Sequence, residues 1–155
     1  MEAPEKIQPR RDADYLDVIS RAVFQTGISW SVVAKKWPDI RAAFHDFDPG
    51  MVAAFSPDEI DALCADSRVI RNRRKIEATV ANAGQVTRLS HEHGGFKAYL
   101  RTHDGFDEME RDLRKRFKFL GEMGAFYVLY VVGEPVPSYE DWCASRSRTP
   151  AMATG

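Results

Sequence analysis

The chain has 155 residues and a mass of 17.6 kDa, which is enough for one domain with a buried core. Hydrophobic residues make up 44% of the chain and charged residues 29%, which excludes a wholly disordered protein. The 23 acidic and 22 basic residues nearly cancel, so the net charge alone predicts no polyanionic partner.

The spacing of apolar residues predicts helices throughout the chain, with glycine or proline near their ends. The helices are predicted at residues 12–26 and 30–36, from Pro38, after Asp48-Pro49 and Ser56-Pro57, and at 72–90, 96–101, 107–118 and 125–132. Ser29, Asp48 and Ser56 are the predicted N-caps. The apolar run at 125–132 fits a buried helix or a buried strand, and we interpret it as a helix because no other segment predicts a strand to pair with it.

The prediction is therefore an all-α protein with one helical domain at residues 12–144. Residues 1–11 are interpreted as an N-terminal extension, and residues 145–155 as a loose C-terminal tail. The chain contains no internal repeat.

Positive charge is concentrated in two segments of this nearly neutral chain. Residues 68–75 hold five basic side chains and no acidic one, and residues 111–118 hold five with a single acid, Asp112. Two interpretations are open: both segments are solvated helix ends, or both face the phosphates of a nucleic acid. The acidic residues concentrate elsewhere, as at residues 57–61, and this separation favours a basic face.

A turn bounded by two glycines follows the second basic segment. Gly121 and Gly124 flank this turn, which joins a polar helix to an apolar one and predicts a helix-hairpin-helix arrangement. Glycine lets the backbone approach a phosphate, and the free N–H groups of the following helix bind the anion. Lys118 directly before the turn supports this interpretation, whereas Glu122 inside the turn argues against close phosphate contact.

Several motifs together resemble the DNA-3-methyladenine glycosylase I family. They are Val-Phe-Gln-Thr-Gly-Ile-Ser-Trp at 23–30, Phe-His-Asp-Phe-Asp-Pro at 44–49, Ile-Arg-Asn-Arg-Arg-Lys-Ile at 70–76 and Phe-Lys-Phe-Leu-Gly at 117–121. The resemblance spans roughly residues 12–133 in the order of the family. It implies the fold of the helix-hairpin-helix DNA glycosylases, and an enzyme that flips a damaged base from DNA and hydrolyses its N-glycosidic bond.

The resemblance also implies which residues bind the base and the DNA. A family tryptophan stacks on the cationic base 3-methyladenine and corresponds to Trp30; the alternative is a core tryptophan whose indole N–H finds a carbonyl. Gln25 lies on the same segment and is predicted to line the pocket. The residues expected to contact DNA are Arg71, Arg73, Arg74, Lys75, Lys118, Gly121 and Gly124.

The sequence departs from the family at the residue that reads the base edge. The family carries Glu-Gly-x-Gln where residues 22–25 read Ala-Val-Phe-Gln, so Ala22 occupies the position of the glutamate. An alanine neither accepts a hydrogen bond from the adenine amino group nor offsets the charge of the ring. We expect Ala22 to leave a wider and less polar base pocket than the family has.

The zinc ligands of the family are also missing. Residues 1–11 lack its N-terminal cysteine and its Tyr-His-Asp-x-Glu-Trp-Gly motif, and Cys143 has no histidine at metal-ligand spacing. His91 and His93 have no further ligand nearby in the sequence. We therefore predict neither a bound metal nor a cofactor.

Another carboxylate is expected to assist hydrolysis where the family glutamate is missing. Related glycosylases of this superfamily place an aspartate shortly after the second hairpin helix, and Glu140 and Asp141 lie in that region. The alternative is that these two acids only cap a short C-terminal helix. Asp14 and Asp17 on the first helix are the next candidates, unless they are exposed acids of a helix surface.

The prediction for the function is a monofunctional glycosylase, since residues 125–128 lack the lysine that bifunctional relatives carry. The expected substrate is double-stranded DNA with alkylated bases, and no protein partner is implied. A protein of the same fold that binds damaged DNA without catalysis is the alternative, which Ala22 favours. The chain has no run of about 18 apolar residues and no signal-peptide core at its start, so we expect a cytoplasmic protein without membrane contact.

Overall fold

The computed structural model describes the backbone of residues 4–154 and the side chains of residues 4–146. Residues 4–154 form helices and contain no strand, which confirms the all-α prediction. The helices are α1 (Asp12–Gln25), α2 (Trp30–Ala43), α3 (Pro49–Ala53), α4 (Pro57–Cys64), α5 (Arg73–His93), α6 (Phe96–Leu100), α7 (Phe106–Arg116), α8 (Glu122–Val131) and α9 (Tyr139–Thr154). In this described part of the chain, no helix is long and apolar enough to cross a lipid bilayer.

Short polar side chains begin several helices. Of the three predicted N-caps, Asp48 and Ser56 accept backbone N–H groups, whereas Ser29 precedes α2 without a side-chain capping hydrogen bond. Asp48 caps the first turn of α3 with its carboxylate. Ser56 and Glu59 form a reciprocal capping box at the start of α4. The Asn72 side chain accepts the backbone N–H of Lys75 at 3.2 Å and begins α5. These helix starts follow from local sequence alone.

Helix α2 runs well beyond its predicted end, and α9 crosses a predicted boundary. A new helix is expected at Pro38, but α2 continues through this residue. Pro38 is exposed, whereas Trp37 and Ile40 are buried and hold both halves of α2 against the core, so the missing hydrogen bond does not interrupt the helix. Helix α9 continues to Thr154 and so crosses the boundary expected at residue 145.

The first and fifth helices form the centre of the fold. Helix α1 packs against α2, α3, α5 and α8, and Leu16, Ile19 and Phe24 are among its completely buried residues. Helix α5 packs against α1, α3, α4 and α6, and the hairpin of α7 and α8 reaches α1 through α8. The turn from α1 to α2 and the α7–α8 hairpin are therefore both anchored on the two central helices.

Candidate functional site

Trp30 lies at the first position of α2, directly after the tight turn that ends α1. Gly27 adopts a φ of 78° in this turn, a conformation that glycine tolerates and other residues rarely adopt. Trp30 keeps 36% of its surface exposed, so part of this residue is accessible to a ligand. This exposure argues against the alternative interpretation, in which Trp30 is a core residue.

A buried lysine holds this turn in place. The Lys75 ammonium group donates to the carbonyl oxygens of Phe24, at 3.0 Å, and Thr26, at 2.5 Å. Lys75 is buried, and burial lowers the pKa of its ammonium group. Both carbonyls lie at the C-terminal end of α1, where a positive charge is favourable. The sequence predicts a DNA contact for Lys75, but the structure places its charge inside the protein, on the turn that presents Trp30.

The carboxylate of Asp17 is the centre of a buried ion-pair network beside the turn. Its Oδ1 accepts hydrogen bonds from Arg21 Nε at 2.7 Å and from the Trp37 indole N–H at 3.2 Å. Its Oδ2 accepts a hydrogen bond from Arg41 Nε at 2.9 Å. Because Asp17 is only 8% exposed, the network has the low-dielectric surroundings in which ion pairs fix side-chain geometry.

Arg21 connects this network to the exposed tryptophan. Its guanidinium carbon lies 6.0 Å from the centroid of the Trp30 ring and 5.9 Å from that of Trp37. The centroids of the two indole rings are 6.1 Å apart. Burial raises the pKa of the Tyr127 hydroxyl on α8, and the neighbouring Arg21 charge acts against that rise. Arg21 thus lies where α1, α2 and α8 meet, with Asp17 holding its guanidinium group.

An open hollow of about 340 Å³ adjoins the same network. Asp17, Arg21 and Arg41 line it, together with side chains of the segment before α1. This segment is held to α8 by a hydrogen bond of 2.8 Å from the Ile7 N–H to the Val131 carbonyl. The volume is at the lower end of the roughly 300–1,000 Å³ that small-molecule sites occupy. The residues of the network therefore line an open hollow, and Arg21 of the network also lies near Trp30.

Ala22 is packed against the hairpin and does not enlarge the site. Ala22 is 2% exposed, and a Cβ atom placed on Gly124 would lie 3.6 Å from the Ala22 Cβ. The same added Cβ would lie 2.9 Å from the Leu120 side chain, so the glycine leaves room for Leu120 of the hairpin turn. The sequence predicts a wider pocket at Ala22, but α8 fills the space. Gln25 is half-buried at the end of α1, on the segment that leads to Trp30.

The turn between α7 and α8 is held by a buried side-chain amide. Asn82 of α5 donates to the Lys118 carbonyl at 3.1 Å and accepts from the Lys118 N–H at 2.8 Å. Phe119 follows with a φ of 59°, a left-handed conformation that costs energy for a residue with a side chain. Its ring is partly exposed, and the guanidinium carbon of Arg74 lies 5.6 Å from the ring centroid. Gly121 is exposed and directly precedes α8.

The arginines expected to contact DNA differ in their surroundings. Arg71, Arg74 and Lys118 are exposed. Arg73 is also exposed, but its Nη2 lies 2.6 Å from the Asp61 carboxylate, and this hydrogen bond raises the pKa of Arg73. Its charge is therefore partly offset within the protein. Lys118 lies in the turn that Asn82 holds, and Arg74 lies over the Phe119 ring of that turn.

Glu140 and Asp141 are exposed in the first turn of α9. This helix packs on α8 through Trp142, whose ring stacks on Phe126 with 4.4 Å between centroids. Phe126 and Gly124 are two residues apart on α8, so their positions are separated by roughly 200° around the helix axis. Helix α9 therefore covers a different face of α8 from the one that meets α1. The structure does not bring these two acids into the ion-pair network of α1.

The sequence identifies the acid and arginines of this network only in part. It names Asp17 as a second-choice candidate acid, and it selects neither Arg21 nor Arg41. The spacing of Asp17 and Arg21, four residues apart on a helix, is a signal for an ion pair that sequence reasoning can use. The contact with Arg41 joins two helices and has no local signal.

No metal site is formed by the side chains of residues 4–146. The structure there contains no group of three or more histidine, cysteine, aspartate or glutamate side chains able to hold a metal ion. The donor set present in this region therefore does not fit the zinc site that the family resemblance implies.

Comparison with known proteins connects this site to one family. The family model described as Methyladenine glycosylase matches residues 8–123. DNA-3-methyladenine glycosylase 1 of Escherichia coli strain K12 is 46% identical over 59 residues, which cover 38% of this chain and 32% of that protein. A structure of 3-methyladenine DNA glycosylase I from Staphylococcus aureus has a TM-score of 0.73 at 23% identity, with 83% of this chain and 80% of that chain covered.

A variant of 3-methyladenine DNA glycosylase I solved with 3-methyladenine has a TM-score of 0.72 at 23% identity, with 83% of this chain and 81% of that chain covered. At this identity both structures show the shared fold alone, which confirms the expected glycosylase-like fold. The sequence match to the Escherichia coli protein spans about a third of that protein's length. The family model, in contrast, extends from the segment before α1 into the first turn of α8 and so covers the Trp30 turn, the Asp17 network and the hairpin. The chain belongs to the methyladenine glycosylase family.

Proposed function

We propose that this protein is a DNA glycosylase that extrudes an alkylated purine such as 3-methyladenine from double-stranded DNA and hydrolyses its N-glycosidic bond. The observation that carries the proposal is the exposed ring of Trp30 on a turn held by Lys75, within the region that the family model matches. An exposed aromatic residue offers a stacking surface to an extruded base. The names of the relatives support the same reaction and the same kind of base.

Hydrolysis of this N-glycosidic bond depends more on positioning the nucleotide than on strong acid catalysis. A purine alkylated on a ring nitrogen is cationic in DNA and leaves as a neutral base. In the hydrolysis, the oxygen of a water molecule bonds to C1′ of the sugar and the C1′–N9 bond breaks. The electron pair of that bond goes to N9, and the water gives a proton to the solvent. Stacking of the base on Trp30 holds the nucleotide out of the helix while water attacks.

The assignment of a catalytic carboxylate to Glu140 and Asp141 stays a prediction. Their position in α9, away from the α1 face of α8, does not support it. Asp17 lies beside Arg21, but both of its oxygens already accept hydrogen bonds. We propose that Asp17 positions Arg21, and that a cationic leaving base makes a strong general acid unnecessary.

DNA binding is proposed to use the surface around the hairpin turn. Arg71, Arg74 and Lys118 are exposed, and the guanidinium group of Arg74 lies over the Phe119 ring at the turn. Exposed cations that replace phosphate counterions supply affinity without reading sequence. The proposed enzyme is monofunctional, so borohydride treatment with abasic DNA is expected to trap no covalent complex. A cytoplasmic location stays a prediction.

The direct test is to incubate the protein with methylated duplex DNA and to separate any released bases by chromatography. We expect free methylated purine and an equal amount of alkali-sensitive abasic sites. An unmethylated duplex of the same sequence is the control and is expected to release no base. If the protein binds methylated DNA more tightly than the control but releases no base, it binds damage without catalysis and the proposed reaction is wrong.

A further inference from the structure

The end of α1 is capped by a side chain from another helix. In a continuing helix the Ile28 N–H would donate to the Phe24 carbonyl, but it donates to the Gln25 carbonyl at 3.0 Å. The Lys75 ammonium group of α5 reaches the Phe24 carbonyl instead, at 3.0 Å. It also donates to the Thr26 carbonyl, at 2.5 Å. The last turn of α1 is therefore held by two hydrogen bonds from α5.

The first half of α2 is tied to the chain just before the same helix. Lys36 Nζ donates to the Ser67 carbonyl at 3.0 Å and to the Val69 carbonyl at 3.3 Å. Both acceptors lie shortly before α5, the helix that carries Lys75. The two sides of the turn between α1 and α2 are thus fastened to one continuous stretch of chain. The position of the α1 end relative to α2 depends on the Lys75 contacts as well as on apolar packing.

The groups that Lys75 binds are neutral, although this residue is only 4% exposed. Burial lowers the pKa of its ammonium group, which shows that the charge is held away from water. A buried charge without an opposite charge costs folding free energy that its hydrogen bonds only partly offset. An apolar side chain of similar length would fill the same space without this desolvation. What the ammonium group adds is direction, since it fixes two carbonyl groups at once.

We propose that Lys75 is a positioning residue for base release, whose ammonium group fixes the turn so that the Trp30 ring is held where an extruded base stacks on it. The inference rests on the proposed function, because it concerns the ring that receives the base. Lys75 is buried and acts through the turn, without touching the base. Its effect on release therefore depends on the Trp30 ring, whereas a general effect on the fold persists without that ring.

The test is a double-mutant cycle on the rate of base release. Single-turnover release of methylated purine from methylated duplex DNA is measured for wild type, Lys75→Met, Trp30→Ala and the double variant. We expect Lys75→Met to lower the rate severalfold, by no more than Trp30→Ala does, because a displaced ring stacks poorly. The double variant is expected to stay within about twofold of Trp30→Ala. The proposal is overturned if Lys75→Met releases base like the wild type, or if its full loss appears again in the double variant.

Thr79→Val is the matched control for a buried hydrogen bond on α5. Thr79 is completely buried and its hydroxyl donates to the Lys75 carbonyl at 2.8 Å, within its own helix, so it does not reach α1. We expect Thr79→Val to release base at the wild-type rate, and equal losses in Thr79→Val and Lys75→Met would overturn the proposal. If Lys75→Met does not fold in a thermal melt, Lys75→Gln takes its place, since the amide keeps an N–H donor without the charge. Its loss is expected to be smaller and to vanish without the Trp30 ring; an absent loss, or one that persists without the ring, would contradict the proposal.

Hydrogen exchange of the turn distinguishes failure of this proposal from failure of the proposed function. If the wild type releases no base, the proposed reaction is wrong, and the exchange of the backbone amides at residues 27–30 then decides the role of Lys75. Faster exchange there in Lys75→Met than in wild type and Thr79→Val supports a role in positioning the turn. Equal exchange in all three proteins overturns it.

Discussion

Asp17 is a buried carboxylate that joins two helices through three hydrogen-bond donors. Arg21 and Trp37 bind one of its oxygens and Arg41 binds the other, at distances from 2.7 to 3.2 Å. Removing one partner of such a buried group leaves the others without compensation for their lost hydration. We therefore interpret Asp17 as a positioning residue that fixes Arg21 beside Trp30.

We expect Asp17→Asn to lower the free energy of unfolding by about 2 kcal/mol. This is less than the roughly 3–5 kcal/mol typical of a broken buried pair, because the arginine partners are partly exposed. Urea unfolding followed by circular dichroism measures the change. Asp39→Asn, an exposed acid on α2, is the control and is expected to stay within about 0.5 kcal/mol of the wild type. Equal losses in both variants would contradict a special role for Asp17.

The hairpin element depends on one amide side chain from another helix. Asn82 is 1% exposed and satisfies both the N–H and the carbonyl of Lys118, next to the strained backbone of Phe119. A strained turn persists only where the surroundings fix it. Asn82 therefore sets the shape of the surface that we propose binds DNA.

We expect Asn82→Ala to weaken binding to damaged and undamaged DNA about equally, because it releases the turn and leaves the base site in place. The lost pair of hydrogen bonds is expected to cost about 1–3 kcal/mol of stability. Fluorescence anisotropy with both duplexes measures the binding. The matched control is Gln85→Ala, since Gln85 is also on α5 and donates to a carbonyl near the turn, that of Arg116, but is only half-buried, whereas Asn82 is buried. If Asn82→Ala folds and binds as tightly as Gln85→Ala, the turn does not need this amide.

The sequence predicts helix starts that are made by bonds within one turn. It does not predict contacts between helices that are distant in the chain. Asp48 and Ser56 begin their helices through bonds within one turn, so the sequence predicts both starts. The burial of Lys75 depends on the end of α1, about fifty residues earlier in the chain, and its sequence context suggested only a surface cation. In the same way, Trp30 was predicted as a site residue from its motif, whereas the contact of Asp17 with Arg41 needs the packing of α1 on α2.

Across the whole molecule, basic side chains gather near the hairpin although the formal net charge is only −1. Arg74 lies over the Phe119 ring, and Arg71 is exposed just before α5. Arg73 differs, since Asp61 binds it within the protein. DNA affinity in such a molecule comes from where the charges lie and not from their sum.

We expect Arg71→Ala plus Arg74→Ala to weaken binding to damaged and undamaged duplexes alike. The slope of log affinity against log salt is expected to fall by about two, because each lost phosphate contact removes about 0.9 from it. Anisotropy titrations over a series of salt concentrations measure the slope. Arg88→Ala plus Lys97→Ala removes two exposed cations outside both basic segments and is expected to leave the slope unchanged. An unchanged slope in the Arg71 and Arg74 double variant would contradict the proposed surface.

The central claim is that this molecule releases an alkylated base stacked on Trp30, and one rate measurement tests it most directly. Release of methylated purine from methylated duplex DNA is compared between wild type, Trp30→Phe, Trp30→Ala and Val32→Ala, an exposed apolar residue on the same helix. We predict a loss of roughly five- to 150-fold in Trp30→Ala, a smaller loss in Trp30→Phe and wild-type release in Val32→Ala. Wild-type release by a folded Trp30→Ala variant would contradict the account.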